Sequence, residues 1–222
     1  MTTKIGIIAI QGNVEEHFRA FEKTLAEREV EQGEKGEVVK IKHSGIVGSC
    51  DAIVIPGGES TTIGRLMQRE GISEEIKEAA GEAGEGTPIF GTCAGMVLLA
   101  KEGNEEVART GQPLLGLMDV RVKRNAFGRQ RESFEVPLKM SVSDDFGFDE
   151  PFPAVFIRAP ALTHAADSVE VLATLNGRIV AARQGNLLAL SFHPELTADR
   201  RIHHYFLETN FFKSLTKKAS RN

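Results

Sequence analysis

"PIFGTCAGMVLLA" (residues 88–100) reads as an apolar strand, a tight turn and the start of a helix. Gly91 and Gly95 bracket Thr92, Cys93 and Ala94 in the form G-x-C-x-G. Strand and helix backbones pass close at such a turn, so its flanks must be small, and glycine adopts backbone angles that side chains forbid. The pattern matches a nucleophile elbow, the strained strand-to-helix turn that lifts one reactive residue above an α/β sheet. The helix that follows would aim its free N–H groups at the sulfur. A lone cysteine is more often a core residue, but the paired glycines favour a nucleophile. Cys50, in "GSCDAIVI", has no such setting and reads as structural.

Outward from the elbow, "KIGIIAI" (4–10), "VVKIK" (38–42) and "AIVI" (52–55) read as further strands. The first is apolar throughout, as a strand covered on both faces should be. A helix is expected from Val14 to about Arg28, with Asn13 as its N-cap and Glu16 as capping-box partner. Ser60 and Ser73 are expected to cap two more. Strands alternating with helices predict an α/β, doubly wound sheet. The charged run "EREVEQGEKGEV" (27–38) reads as a solvated loop. After Gln112 the texture changes to short β-like runs. Asn176-Gly177 and Gly185-Asn186 stand where tight hairpin turns belong, so the second half reads as mostly antiparallel. From Asp199 to about Lys217, Ile202, Tyr205, Phe206, Phe212 and Leu215 recur near helical spacing. No linker or repeat divides the chain, so residues 1–222 are expected to form one domain with a mixed sheet.

A cysteine hydrolase needs a base beside its sulfur. Among the six histidines, His193 in "LLALSFHPEL" ends an apolar strand, where sites on such sheets collect. Glu195 lies two residues on. In extended chain, which Pro194 favours for the residue before it, the two project together. Cys93, His193 and Glu195 then form a nucleophile, base and orienter. His17, His43, His164, His203 and His204 have no comparable partner in the sequence and read as structural. "AIVIPGGEST" (52–61) is a second strand-to-helix junction, and its Gly57-Gly58 turn, with the N–H of Ala94, would bare donors for an oxyanion. No Cys/His pair has zinc spacing, so no metal is expected. A net charge of −4 without a basic run argues against nucleic acid. The apolar runs are too short to span a bilayer. Two cysteines and no signal-peptide pattern point to the cytoplasm.

"PGGES", "GTCAG" and "SFHPE" together resemble the class I (triad) glutamine amidotransferases. Within that class, "AIQGNVEEH", "RNAFGRQRESFE", "FIRAP" and "NGRIVAARQGNLLALSFHPELT" resemble the glutaminase subunits of pyridoxal 5′-phosphate synthases, from about residue 4 to residue 212. The resemblance implies a flavodoxin-like doubly wound mixed sheet with helices on both faces. It implies a glutaminase with Cys93 as nucleophile, His193 as base and Glu195 as orienter, and no cofactor. Gly58, Glu59, Ser60, Arg124, Ile157 and Arg158 would bind L-glutamine, and Gln11 would sit near the oxyanion turn. The partner would be the synthase subunit, which accepts the ammonia. An arginine and a glutamate suit the two ends of a free amino acid in kind. Residues 27–37 and 102–112 are longer than usual for these subunits, and both are charged and loop-like. Other readings are a glutaminase serving a different synthase, a cysteine peptidase of similar fold, and a binding module without catalysis.

Overall fold

A computed structural model describes residues 2–127, 133–142 and 146–209. Its first half alternates strands and helices: β1 (Thr3–Ile8), α1 (Val14–Gln32), β2 (Gly36–Ile41), β3 (Ala52–Ile55), α2 (Ser60–Arg69), α3 (Ile72–Ala80), β4 (Ile89–Thr92) and α4 (Ala94–Leu99). Then come β5 (Ala100–Gly103), α5 (Glu105–Thr110), β6 (Met118–Lys123), β7 (Ser133–Leu138) and β8 (Phe152–Ile157). β9 (Ala161–Ala165), β10 (Glu170–Leu175), β11 (Arg178–Gln184) and β12 (Leu187–Leu190) complete the strands. A helix over 201–209, α6, follows.

The main sheet runs β2-β1-β3-β4-β12-β11-β9-β6-β5, with β10 beside β11. The first five strands are parallel in the order expected of a flavodoxin-like sheet. Alternate residues of β3 face opposite layers, Ile53 and Ile55 on one side and Ala52 and Val54 on the other. That two-sided burial explains the unbroken apolar strings of the first half. One layer holds α2, α3 and α4. The other holds α1, the β7–β8 hairpin, α6 and a cluster of phenylalanines. The mixed α/β sheet with helices on both faces is therefore as the sequence reads.

The second half is antiparallel at β11–β12, β10–β11 and β6–β9, while β5 joins β6 and β12 joins β4 in parallel. Asn176-Gly177 and Gly185 turn the two predicted hairpins with positive φ.

Several expected boundaries move. The solvated loop expected at 27–38 shrinks to 33–35: α1 continues to Gln32 and closes on a left-handed Gly33, and β2 begins at Gly36. Arg200 and His204 hold Glu27, and the buried Arg28 reaches Glu34 and Glu208, so these charges dock the last turns on α6. The 102–112 segment, also loop-like in sequence, carries the end of β5 and all of α5. Ser60 is the first residue of α2 and Glu59 its cap, with a carboxylate that accepts from Thr61 and Thr62 N–H. Ser73 lies inside α3, which follows Gly71. α6 buries Ile202, Tyr205 and Phe206 as predicted, whereas Phe212 and Leu215 lie outside the described residues.

Candidate active site

The carboxyl ends of β1, β3, β4 and β12 lie along one edge of the parallel sheet, where open α/β sheets carry their sites. Each is followed by a segment that the sequence singles out: Gln11, Gly57-Gly58, Cys93 and His193. After β4 the chain turns through Cys93 at φ 48 and ψ −97 before α4 begins. Positive φ in a side-chain-bearing residue is strained and persists only where surroundings over-determine it. Here the Cys93 N–H is held by Leu190 O at 2.7 Å, and a Cβ on Gly95 would lie 2.3 Å from Ile55 O. Glycine at 95 is thus what lets the first turn of α4 sit on β3.

His193 follows β12 and Ser191-Phe192. Its N–H is held by Val155 O of β8 at 2.8 Å. The chain does not stay extended beyond it, as the sequence suggests, but enters a 3-10 turn over Pro194–Leu196. The turn still delivers Glu195 to the imidazole: His193 Nδ1 lies 2.7 Å from Glu195 Oε1, and both groups are buried. That bond fixes Nδ1 as the donor and leaves Nε2 for the sulfur. Burial works against charge on His193, but hydrogen bonds with Cys93 and Glu195 outweigh it and raise the imidazole pKa to about 10. Burial likewise opposes charge on Glu195, yet His17 and the His193 bond hold its carboxyl at about 2. At neutral pH the pair is an imidazolium bonded to a carboxylate.

A cavity of ≈ 140 Å³ opens beside this pair. Gly58, Glu59, Ser60, Cys93, Ala94, Arg124, Ile157, Arg158 and His193 all line it. Cys93 Sγ lies 3.9 Å from Ile157 O. Gly57 stands behind: a Cβ there would lie 2.4 Å from His193 Cε1 and 3.5 Å from Cys93 Cβ. Gln11 Oε1 accepts from Glu59 N–H at 2.9 Å, and Asn13 N–H donates to Gly57 O at 2.9 Å, so the turn after β1 braces the turn after β3. Within the cavity, Arg124 pairs with Glu59. Arg124 donates to Thr61 Oγ1 and Gln112 Oε1, and its Nη2 lies 3.2 Å from Glu59 Oε1.

Several polar residues at the site escape the sequence reading. Asn13 stands at the head of α1 without a side-chain cap bond. Its Nδ2 instead donates to Glu195 Oε1 at 3.3 Å. Gln112 anchors Arg124 and the hydroxyls of Ser60 and Thr61. His17 and Thr92 meet behind Glu195, with His17 Nε2 2.8 Å from Thr92 Oγ1 and 3.5 Å from Glu195 Oε2. His17 lies in α1 and Asn13 at its N-cap, far from the elbow in sequence, and the spacing of four between them is the signal that both could face one way. Among the described residues, no helix is long and apolar enough to cross a membrane, and no cluster of His, Cys, Asp and Glu is placed to hold a metal.

This flavodoxin-like sheet with a cysteine elbow at its carboxyl edge belongs to the class of glutamine amidotransferases. Within it, the chain belongs to the SNO glutamine amidotransferase family, whose sequence model matches residues 7–212. It is 62% identical to the pyridoxal 5′-phosphate synthase subunit PdxT of Methanocella arvoryzae, over 92% of this chain and 96% of that one. The subunit of the same name from Archaeoglobus fulgidus is 51% identical over 92% and 97%. A crystal structure of a glutamine amidotransferase superposes with a TM-score of 0.77 at 41% identity, covering 92% of this chain and 97% of that one. The Thermotoga maritima PurLQS structure shares the fold at a TM-score of 0.64 and 19% identity, covering 94% and 99%.

Proposed function

We propose that this chain, as one domain spanning residues 1–222, is the glutamine-hydrolysing subunit of a pyridoxal 5′-phosphate synthase. It converts L-glutamine to L-glutamate and delivers the ammonia to the synthase subunit. Cys93 is the nucleophile, His193 the acid and base, and Glu195 the orienter. The observation that carries the reading is that Cys93 and His193 open on the cavity lined by Arg124 and Glu59, in a chain 62% identical to such a subunit.

Glutamine enters with its carboxamide toward Cys93. Arg124 and Arg158 supply positive charge for its carboxylate, and Glu59 answers its ammonium. Ser60, Ile157 and Gly58 complete the pocket wall. The Cys93 thiolate attacks the carboxamide carbon, and N–H groups of Ala94 and the Gly57-Gly58 turn take up the oxyanion charge. Gln11, bonded to Glu59 N–H, braces that turn. The imidazolium of His193 protonates the leaving nitrogen, and ammonia departs. Neutral imidazole then draws a proton from water as that water attacks the γ-glutamyl thioester, and glutamate leaves. Glu195 holds the ring tautomer throughout and favours its charged form.

The test is Cys93→Ala, assayed for ammonia release from glutamine with the synthase subunit present. Release is expected to vanish. Wild-type release by that variant would overturn the scheme.

A further inference from the structure

His17 is fully buried in α1, and the sequence gives it no partner. Its ring stands edge-on to Phe90, with centroids 6.0 Å apart. Only one edge of it meets polar groups, and that edge faces the triad. Glu195 is also fully buried at its side chain. Its Oε1 is well supplied, at 2.7 Å from His193 Nδ1 and 3.3 Å from Asn13 Nδ2. Its Oε2 makes no hydrogen bond within the usual limits among the described residues. The polar atom facing it is His17 Nε2, 3.5 Å away, which also lies 2.8 Å from Thr92 Oγ1.

A buried carboxylate oxygen without a donor is costly. The tautomer of His17 follows from that. A proton on Nε2 points at Thr92 Oγ1 and Glu195 Oε2 and leaves a bare acceptor at Nδ1, which has no hydrogen-bond partner among the described residues. A proton on Nδ1 would leave a buried donor bare and a lone pair facing the carboxylate. The ionisable groups facing His17 are Glu195, His193 and Glu16, with the buried ring of His203 near by. Burial pushes the His17 pKa below its usual value, which favours the neutral ring. A neutral imidazole still donates.

We infer that His17 is a positioning residue for the triad: its Nε2–H holds the second oxygen of Glu195 and the hydroxyl of Thr92, so that the carboxylate cannot turn away from His193. The inference rests on the role proposed for Glu195. Thr92 immediately precedes Cys93, so one ring ties the orienter to the elbow strand. Without it, Glu195 keeps its Oε1 contacts but can rotate about its own side-chain bonds, and the imidazole loses its fixed direction.

The experiment is steady-state glutaminase kinetics across pH, on full-length variants with the synthase subunit present. His17→Phe fills the space without a donor. His17→Gln carries an amide N–H at the position of Nε2. Losing an outer-shell partner costs about 10–100-fold in metal sites, and a drop of that size is expected in kcat for the Phe variant, with KM changed by less than about threefold, as befits a lost transition-state interaction. Its acid limb should also move to higher pH, because Glu195 without its donor takes up a proton more readily. The Gln variant should recover most of kcat and the wild-type limb. Should the Phe variant fail to fold, His17→Asn, whose shorter amide falls short of Glu195, takes its place with the same expectations. The inference is overturned if the donor-less variant keeps wild-type kcat and acid limb. It is equally overturned if the Gln variant is impaired to the same degree with an unmoved limb, since that would mark a packing role. Cys93→Ala is run alongside: activity in that variant would refute the triad itself, whereas its loss beside a wild-type His17→Phe would refute only the role of His17.

Discussion

Gly57 is one position where the site leaves no room for a side chain. An added methyl would stand 2.4 Å from His193 Cε1 and 3.0 Å from its Nδ1, with Cys93 Cβ at 3.5 Å. The imidazole is the softer neighbour, since Gly57 is fixed by its carbonyl's bond from Asn13 N–H. Gly57→Ala is therefore expected to push the ring off line rather than unfold the turn. Misplacing a reacting group by about 1 Å costs on the order of 10²-fold, so kcat should fall by about that factor. Thermal unfolding should shift by no more than a few degrees, as a cost of about 1 kcal/mol would give in a chain of this size. Comparing glutaminase kcat with the melting curve checks this; a fully active variant would show that the ring has slack.

Helix α2 shows one residue serving an element and a site together. Glu59 caps it through Thr61 and Thr62 N–H and also meets Arg124 at 3.2 Å. Removing a cap costs about 1 kcal/mol, and a hydrogen bond to a charged group is worth about 1.5–3 kcal/mol. Glu59→Ala should thus lower stability by about 1 kcal/mol in urea and raise the glutamine KM by about tenfold or more. A change in stability with an unchanged KM would leave Glu59 as a cap alone. The same helix explains what the sequence could and could not say. Strings such as "AIVI" and "PIFGTCAG" announce their elements because burial and close approach act within a few residues. The cap at Glu59, which a serine neighbour seemed to claim, depends on which carboxylate the turn lets fold back. Glu27 and Arg28 look like loop charges until α6 arrives to pair with them, about 175 residues later. Asn13 and His17 escape notice for the same reason. A helix face says which way they point, and only the assembled sheet says that Glu195 is waiting there.

At the scale of the whole molecule, the fold decides which of two equally hidden thiols reacts. Cys93 and Cys50 are 8% and 7% exposed, so access alone predicts equal labelling. Their surroundings differ. Cys50 packs in the apolar layer below β1, with Sγ near Ile46 O, and burial raises its thiol pKa. A thiol that keeps its proton is a poor nucleophile. Cys93 lines the cavity with the imidazolium of His193 against it, and that charge depends on Glu195, whose chain segment follows β12, the strand paired with β4. Four strand ends must be in register before this difference exists. Iodoacetamide at neutral pH should therefore alkylate Cys93 at least about tenfold faster than Cys50, the least that a thiolate beside a cation gains over a buried thiol. Peptide mass mapping over time reads both rates in one sample. In denaturant the sheet is gone, the imidazolium no longer faces the sulfur, and the two rates should converge. Equal labelling in the folded protein would mean that His193 does not activate Cys93.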